Sequence, residues 1–194
     1  MVPFIKFLSR VKEAAKIRSG NITAKREKTI FDGWKQRRPM MDDRKKQGRY
    51  QRVYAQLEEL VKKCDEPIAR MATICAVLHH KMDHYFWTGF YLLKDHRLTA
   101  GPYQGPVACQ ELEKGKGVCW AAVTRKQPVV VPDVNRFPGH IACDSRSASE
   151  ITLPVSGPNG EIKAVFDVDS AQTDAFGEVD VRFLEKIMDL VYGP

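Results

Sequence analysis

The sequence predicts an α+β domain in which helices pack on a central antiparallel β-sheet. Two amphipathic helical patterns come first, strand patterns joined by short turns follow, and one more helical pattern closes the chain. The Gly-Pro-Asn-Gly turn at 157–160 joins two strand patterns directly. Such a short turn favours antiparallel neighbours, because parallel strands need a long crossover connection. This order is typical of helices gathered on an antiparallel sheet.

The first two helices are predicted from apolar residues that repeat every three or four positions. From Tyr50, one stripe contains Val53, Leu57, Leu60, Val61 and Cys64. A second helix begins near Asp65 and Pro67, and its stripe contains Ile68, Met71, Cys75, Leu78 and Met82. Because Cys64 and Cys75 both fall on these stripes, we expect both to be buried structural residues.

The remaining elements follow in order along the chain. Phe86–Leu93 is aromatic and predicts a strand that ends at the turn Lys94-Asp95-His96. A short strand near 97–103, a long loop over 105–116 and an inner helix from Gly117 come next. A strand at 128–131 and a loop over 131–147 precede the hairpin strands 150–155 and 162–168. The last helix begins near Glu178, with Phe183, Leu184, Ile187 and Val191 facing inward.

Residues 1–49 are predicted to be a basic extension of a domain that spans 50–194. The first 50 residues hold 15 Lys and Arg against five Asp and Glu, while the whole chain has a net charge of +7. The rest of the chain is therefore net acidic, and the basic character does not describe the domain. The extension fits either a solvated tail or a mitochondrial presequence. Nucleic-acid binding is disfavoured, because no recognised nucleic-acid motif accompanies the basic residues.

Composition also restricts the compartment. No apolar run approaches the roughly 18–20 residues of a membrane span, so we expect no membrane association. The N-terminal MVPFIKFLSR has a Lys inside its apolar stretch and does not resemble a secretory signal. We expect a cytoplasmic protein, with mitochondrial import through the extension as the alternative. In a reducing compartment, an exposed cysteine cluster is more typical of catalysis than of structural disulfides.

Three of the five cysteines lie in a polar, glycine-rich part of the chain. They are Cys109 in GPYQGPVAC, Cys119 in GKGVC and Cys143 in FPGHIACDS. None lies on an obvious apolar stripe, so we expect thiols in loops that reagents can reach. A thiolate attacks electrophilic sulfur, and a second cysteine can then displace it to form a disulfide.

Acidic residues follow the cysteines. Glu150 lies in SEITLPV, and Asp167 and Asp169 lie in FDVDS, where alternation along a strand places both on one face. Carboxylates there would attract an ammonium group or share a proton. Trp87, close to Gly89, could form a wall for an apolar group. A solvated strand end would show the same residues, so the pattern alone leaves redox chemistry and a structural role open.

The segment from Trp87 to Ser170 resembles the free methionine-(R)-sulfoxide reductases, which are stand-alone enzymes of the GAF fold. The matching pieces are FWTGFYL, GPYQGPVAC, GKGVC, VVVPDV, FPGHIACDS, SEITLPV and FDVDS. The family has the same spacing, Cys-x9-Cys-x23-Cys, which GAF domains in general lack. The resemblance covers about residues 50–192 and implies a GAF-like fold there. Trp120 departs from the family, which usually has a small residue after GVC.

The resemblance also implies a role for each site residue. Cys143 would be the nucleophile, Cys109 the main resolving cysteine and Cys119 a second thiol that assists turnover. The three acidic residues Glu150, Asp167 and Asp169 would hold the sulfoxide oxygen and the substrate ammonium, with the division between them left open. Trp87 would pack on the substrate methyl group.

The implied activity is thiol-dependent reduction of free L-methionine-(R)-sulfoxide, in methionine metabolism and the response to oxidative stress. The reaction would pass through a cysteine sulfenic acid and a disulfide recycled by thioredoxin, with no metal or organic cofactor. The oligomeric state stays open, with a homodimer as one alternative. A GAF module that senses a small molecule without catalysis is the competing interpretation.

Overall fold

The computed structural model describes residues 42–140 and 143–193. In chain order its elements are α1 (Asp43–Val61), α2 (Pro67–Lys81), β1 (Trp87–Lys94), β2 (Arg97–Gln104), β3 (Glu111–Leu112), α3 (Gly117–Arg125), β4 (Val129–Val131), a 3-10 helix (Val134–Arg136), β5 (Ser149–Ser156), β6 (Ile162–Ser170) and α4 (Glu178–Met188). Within these residues, no helix has the length and apolar character needed to cross a membrane.

The six strands form one sheet in the order β3-β2-β1-β6-β5-β4, and every neighbouring pair is antiparallel. Two hairpins, β1–β2 and β5–β6, are joined by pairing between β1 and β6 at the centre of the sheet. The prediction of an α+β domain with an antiparallel sheet is therefore confirmed. The two-residue strand β3 and the 3-10 helix lie in stretches that the sequence predicted as loop.

The main core covers one face of the sheet. Alternate residues of β6, namely Ala164, Phe166 and Val168, are completely buried there. Helices α1, α2 and α4 pack over this face, and their buried residues include Tyr50, Val53, Leu57, Met71, Ile74, Leu78, Phe183, Leu184 and Ile187. Most residues of the predicted helical stripes therefore lie on the core face, because side chains three and four apart share one side of a helix.

A smaller core covers the opposite face, under α3. Val118, Trp120 and Ala122 of this helix pack with Trp87 and Tyr91 of β1 and with other buried residues. Trp120, the departure from the family pattern, is 6% exposed, and its indole Nε1 donates to the carbonyl oxygen of Leu112 at 3.3 Å. The large side chain thus fits this core and links α3 to the edge strand β3.

The predicted boundary between extension and domain falls inside α1. Residues 1–41 lie outside the described residues, but α1 begins at Asp43, and Asp42 caps it by accepting a hydrogen bond from the backbone N–H of Arg44 at 3.0 Å. Lys46 is only 1% exposed. In the structure, residues 43–49 thus belong to a helix of the folded unit.

Two expected core residues are exposed. Cys64 was expected to be buried, but α1 ends at Val61 and the following turn leaves Cys64 exposed. Ile68 shares the stripe of α2 but lies one turn before Met71, where the buried part of the helix begins, and is 48% exposed. Cys75 is buried, as predicted.

Candidate active site

A cavity of about 50 Å³ lies between the α3 face of the sheet and the loops that carry the cysteines. Its lining includes an aromatic side and an acidic side. The aromatic side contains Phe86, Trp87 and Tyr91, and the acidic side contains Glu150, Asp167 and Asp169. Cys119, His140, Cys143, Asp144 and Ser147 also line it. Most of the residues expected from the sequence thus meet around one small space.

The strand register brings the three carboxyl groups together. Asp169 of β6 lies directly opposite Trp87 of β1 on one side and Glu150 of β5 on the other. Asp167 lies two residues before Asp169, on the same face of β6. Residues directly opposite on antiparallel strands project to the same face, so Glu150, Asp167 and Asp169 form one group, here called the acid cluster.

Trp87 is placed by the glycine that follows it on the same face. A Cβ added to Gly89 would lie 2.4 Å from the Trp87 ring, so the ring lies where any other residue would project. The Trp87 ring also stacks on Tyr91 and Tyr103, with centroid distances of 5.7 and 5.5 Å. Gly89 therefore lets an indole lie flat along β1 as the apolar wall of the cavity.

The acid cluster holds protons that ordinary carboxylates would release. Burial raises the pKa of Glu150 well above its usual value, and the nearby charge of Asp169 adds to this. Burial and then the charge of Glu150 raise the pKa of Asp167 in the same way. Burial also raises the pKa of Asp169, but only to about 6, because a hydrogen bond from Ser147 favours its carboxylate. At neutral pH, Asp169 is therefore the most ionised of the three.

Cys119 differs from its expected placement in an accessible loop. Cys119 lies in the first turn of α3 and is only 4% exposed. Burial, then the charges of Asp167 and Glu150, raise the pKa of its thiol well above the usual value. Cys119 therefore keeps its proton, since desolvation and nearby negative charge both disfavour a thiolate.

Cys119, Glu150 and Asp167 also have the donor atoms of a potential cation site. The sulfur and one oxygen of each carboxyl group lie within 4.8 Å of one another. Burial raises the pKa of all three groups, so protons occupy the positions that a metal ion would need. We interpret the arrangement as a group that shares protons and do not assign these residues as metal ligands.

Cys109 and Cys143 form a disulfide, with their Cα atoms 5.7 Å apart. Cys109 lies before β3 and is partly buried, and Cys143 lies in the loop between the 3-10 helix and β5 and is exposed. The bond joins two loops that are 34 residues apart in sequence. The structure therefore represents an oxidised state in which these two thiols have combined beside the acid cluster.

Two further residues of the site were missed in the sequence. His140 Nε2 lies 3.3 Å from Glu150 Oε2, and Ser147 Oγ donates a hydrogen bond to Asp169 Oδ1. Burial lowers the pKa of His140 and raises that of Glu150, so burial favours the uncharged form of both groups in this contact. His140 stands in FPGHIACDS and could have been noticed there, but Ser147 carries no comparable signal in the sequence.

Comparison with known proteins places this arrangement in a family. The family model described as "GAF domain" matches residues 69–191. Over 121 residues, the chain is 41% identical to the free methionine-R-sulfoxide reductase of Escherichia coli, covering 62% of this chain and 73% of that protein. Over 147 residues, it is 41% identical to GAF domain-containing protein A of Dictyostelium discoideum, covering 75% and 92% of the two chains.

Solved structures agree with the sequence comparison. The free methionine-R-sulfoxide reductase of Neisseria meningitidis, solved in complex with its substrate, superposes with a TM-score of 0.73 at 35% identity. The match covers 80% of this chain and 92% of that one. The chain therefore belongs to the GAF-domain family and, within it, to the free methionine-R-sulfoxide reductases.

Proposed function

We propose that this chain reduces free L-methionine-(R)-sulfoxide to methionine, with Cys143 as nucleophile and Cys109 as resolving cysteine. The observation that carries the proposal is the Cys109–Cys143 disulfide beside a cavity whose floor is the acid cluster. Such a disulfide is the expected product after one thiol has accepted oxygen and a second has displaced it.

The first step transfers oxygen from the substrate to Cys143. The Cys143 sulfur attacks the sulfoxide sulfur while an acid of the cluster protonates the sulfoxide oxygen. Methionine leaves as the reduced thioether, and Cys143 carries the oxygen as a sulfenic acid. Cys109 then attacks this sulfur, forming the disulfide and releasing water. A dithiol supplies two electrons and two protons to regenerate both cysteines.

The pKa values of the acid cluster support a division of labour. Asp169, whose raised pKa is about 6, is largely ionised at neutral pH and is suited to bind the substrate ammonium. Burial raises the pKa of Glu150 and of Asp167 well above the usual values, which favours the protonated form of both. A protonated carboxyl donates a hydrogen bond, so this pair is suited to the sulfoxide oxygen.

The aromatic side of the cavity suits the substrate methyl group. Trp87 is 6% exposed and lines the cavity beside Tyr91, so an apolar group placed there is removed from water. Asp169 of β6 lies directly opposite Trp87 of β1 in the sheet. A molecule with a methyl sulfoxide at one end and an ammonium at the other would therefore meet complementary groups on both sides.

We further propose thioredoxin as the dithiol and the cytoplasm as the compartment. Cys143 is exposed in the oxidised state, so a protein thiol can reach this sulfur. A reducing compartment with a renewed dithiol pool is what such a cycle requires.

The decisive assay follows free methionine formed from separated R and S epimers of methionine sulfoxide, with dithiothreitol or thioredoxin as reductant. We expect turnover of the free R epimer and little turnover of the S epimer or of N-acetylated substrate, which lacks the ammonium that Asp169 would bind. Equal rates on free and N-acetylated substrate would contradict the proposal. A protein that binds the sulfoxide without consuming it would instead be a sensory GAF module.

A further inference from the structure

Two side chains close to Cys143 in sequence contact the acid cluster. His140, three residues before Cys143, contacts Glu150 at 3.3 Å, and Ser147, four residues after it, donates to Asp169. We propose that His140 and Ser147 are positioning residues that orient Glu150 and Asp169, the two carboxyl groups that line the cavity together with Cys143. This inference rests on the proposed function, because it assigns Cys143 and the cluster to one reaction.

His140 orients Glu150 without adding a charge. Its side chain is 13% exposed and that of Glu150 is 7% exposed, so water competes little for their contact. Burial lowers the pKa of His140 and raises that of Glu150, which favours the uncharged form of both. The imidazole Nε2 lies beside Glu150 Oε2, so the ring limits the positions that this carboxyl group can take at the edge of the cavity.

Ser147 acts on the ionisation of Asp169. Its hydroxyl favours the carboxylate form and so opposes the effect of burial, which raises the Asp169 pKa. A positive charge on His140 would oppose burial in the same direction, whereas the charge of Asp144 adds to it. The titratable groups that interact with Asp169 are Tyr91 of β1, Cys119 of α3, Glu150 of β5, Asp167 of β6, and His140 and Asp144 of the loop that contains Cys143. Asp144 is itself held ionised by Arg146, which lowers its pKa to about 2.

The two contacts act on carboxyl groups that lie beside Cys143, where a redox step and a proton transfer would occur together. In the oxidised structure, Cys143 lines the cavity together with Glu150 and Asp169. Once the disulfide is reduced, a substrate between them would meet the Cys143 thiol and the carboxyl groups together, which is the arrangement that the oxygen-transfer step needs. Loss of either contact is expected to disturb the carboxyl group that the lost side chain contacts.

The test measures methionine release in a single turnover and the pH dependence of kcat/KM for His140→Ala, His140→Gln and Ser147→Ala. For Ser147→Ala we expect the acidic limb of the profile to move up by about one pH unit, since a hydrogen bond to a carboxylate is lost. His140→Ala should slow methionine release roughly tenfold, and His140→Gln, which keeps an N–H donor, should recover most of that loss. His80→Ala is the matched control, because His80 is exposed and its ring partners, the carbonyl oxygen of Ala76 and the ring of His79, belong to its own helix.

Two results would overturn the inference. The first is a loss of rate that is equal at every pH, with a lower unfolding midpoint and with a rate in His140→Gln no higher than in His140→Ala. That result would show that the residues have a structural role alone. The second is a wild-type profile and release rate in all three variants. Failure of the proposed function looks different, because the unmodified chain would then release no methionine at any pH.

Discussion

Lys46 Nζ lies 2.7 Å from Asp180 Oδ2, and the side chains of both residues are almost completely buried. The pair joins α1 to α4. Lys46 also donates to the carbonyl oxygen of Ala175 at 2.9 Å, and Asp180 accepts further hydrogen bonds from Tyr50 Oη at 2.8 Å and from the backbone N–H of Gly177 at 2.8 Å. Because every partner is inside the domain, this ion pair differs from the exposed pairs on the surface.

Replacing Lys46 with Ala should destabilise the domain strongly. The carboxylate of Asp180 would remain buried without its cation, and breaking a buried pair in this way costs about 3–5 kcal/mol. Arg49→Ala is the control, because its partner Asp83 is 74% exposed and such pairs contribute at most about 1 kcal/mol. Urea unfolding of both variants decides the matter, and equal losses would show that the buried pair is not special.

The same pair determines where the chain can be shortened. A variant that starts at Pro39 keeps α1 with its cap at Asp42 and should retain both folding and activity. A variant that starts at Arg49 lacks Lys46 and the first turns of α1, so we expect it to be less stable by several kcal/mol. Thermal unfolding and kcat/KM of the two proteins provide the comparison. A loss of a hundredfold in rate on removing residues 1–38, without unfolding, would mean that those residues serve the site.

Substitution of the three cysteines in turn should give three different defects. Cys143→Ser should release no methionine even in one turnover, because the nucleophile is gone. Cys109→Ser should release about one equivalent per enzyme and then stall with thioredoxin, because only resolution is lost. Cys119→Ser should continue to turn over, since the disulfide in the structure forms without Cys119. Counting methionine in single and multiple turnovers tests all three, and a burst retained by Cys143→Ser would reverse the roles.

Asp169 should make the protein less stable as pH rises. Its pKa is raised by burial to about 6 in the folded state, from a usual value of 3.8, so the folded state binds more protons between these values. Below pH 4 the ionisation of Asp169 therefore does not reduce the free energy of unfolding. As pH rises toward 6, this free energy falls by a total of about 3 kcal/mol for this group. Asp169→Asn should remove this part of the dependence. Unfolding free energies at pH 4 and pH 7 measure it, and an unchanged slope in the variant would contradict the assignment.

Gly89→Ala should damage the site more than the fold. The new Cβ would come within 2.4 Å of the Trp87 ring and 2.5 Å of Tyr103 Cβ, so the indole would have to leave its position. We expect kcat/KM to fall by roughly tenfold or more, mainly through KM, because the wall for the methyl group is displaced. Gly48→Ala is the control, because its Cβ would meet nothing closer than 3.6 Å and Ala favours a helix. A wild-type KM in Gly89→Ala would exclude the proposed contact of Trp87 with substrate.

Local patterns predicted the helices, the main strands and the shared face of Asp167 and Asp169, because these depend on residues that are close in sequence. The pairing of Glu150 with Asp169 depends on the register of β5 against β6, which no local pattern determines. Lys46 appeared as one more basic residue of an extension, since its partner Asp180 lies 134 residues away. Cys119 appeared exposed for the same reason: its burial comes from strands that pack beneath α3.

Successive side chains of β6 face opposite sides of the sheet, so neighbouring residues are under two different kinds of selection. Val168 lies in the main core, and its neighbour Asp169 lies in the cavity on the other side. Val168 is completely buried, so we expect it to accept only apolar residues of similar volume, whereas Asp169 is kept for its chemistry at a cost in stability. Substitutions at neighbouring positions of β6 should therefore have different effects, and the tolerance of β6 to mutation should alternate with a period of two residues.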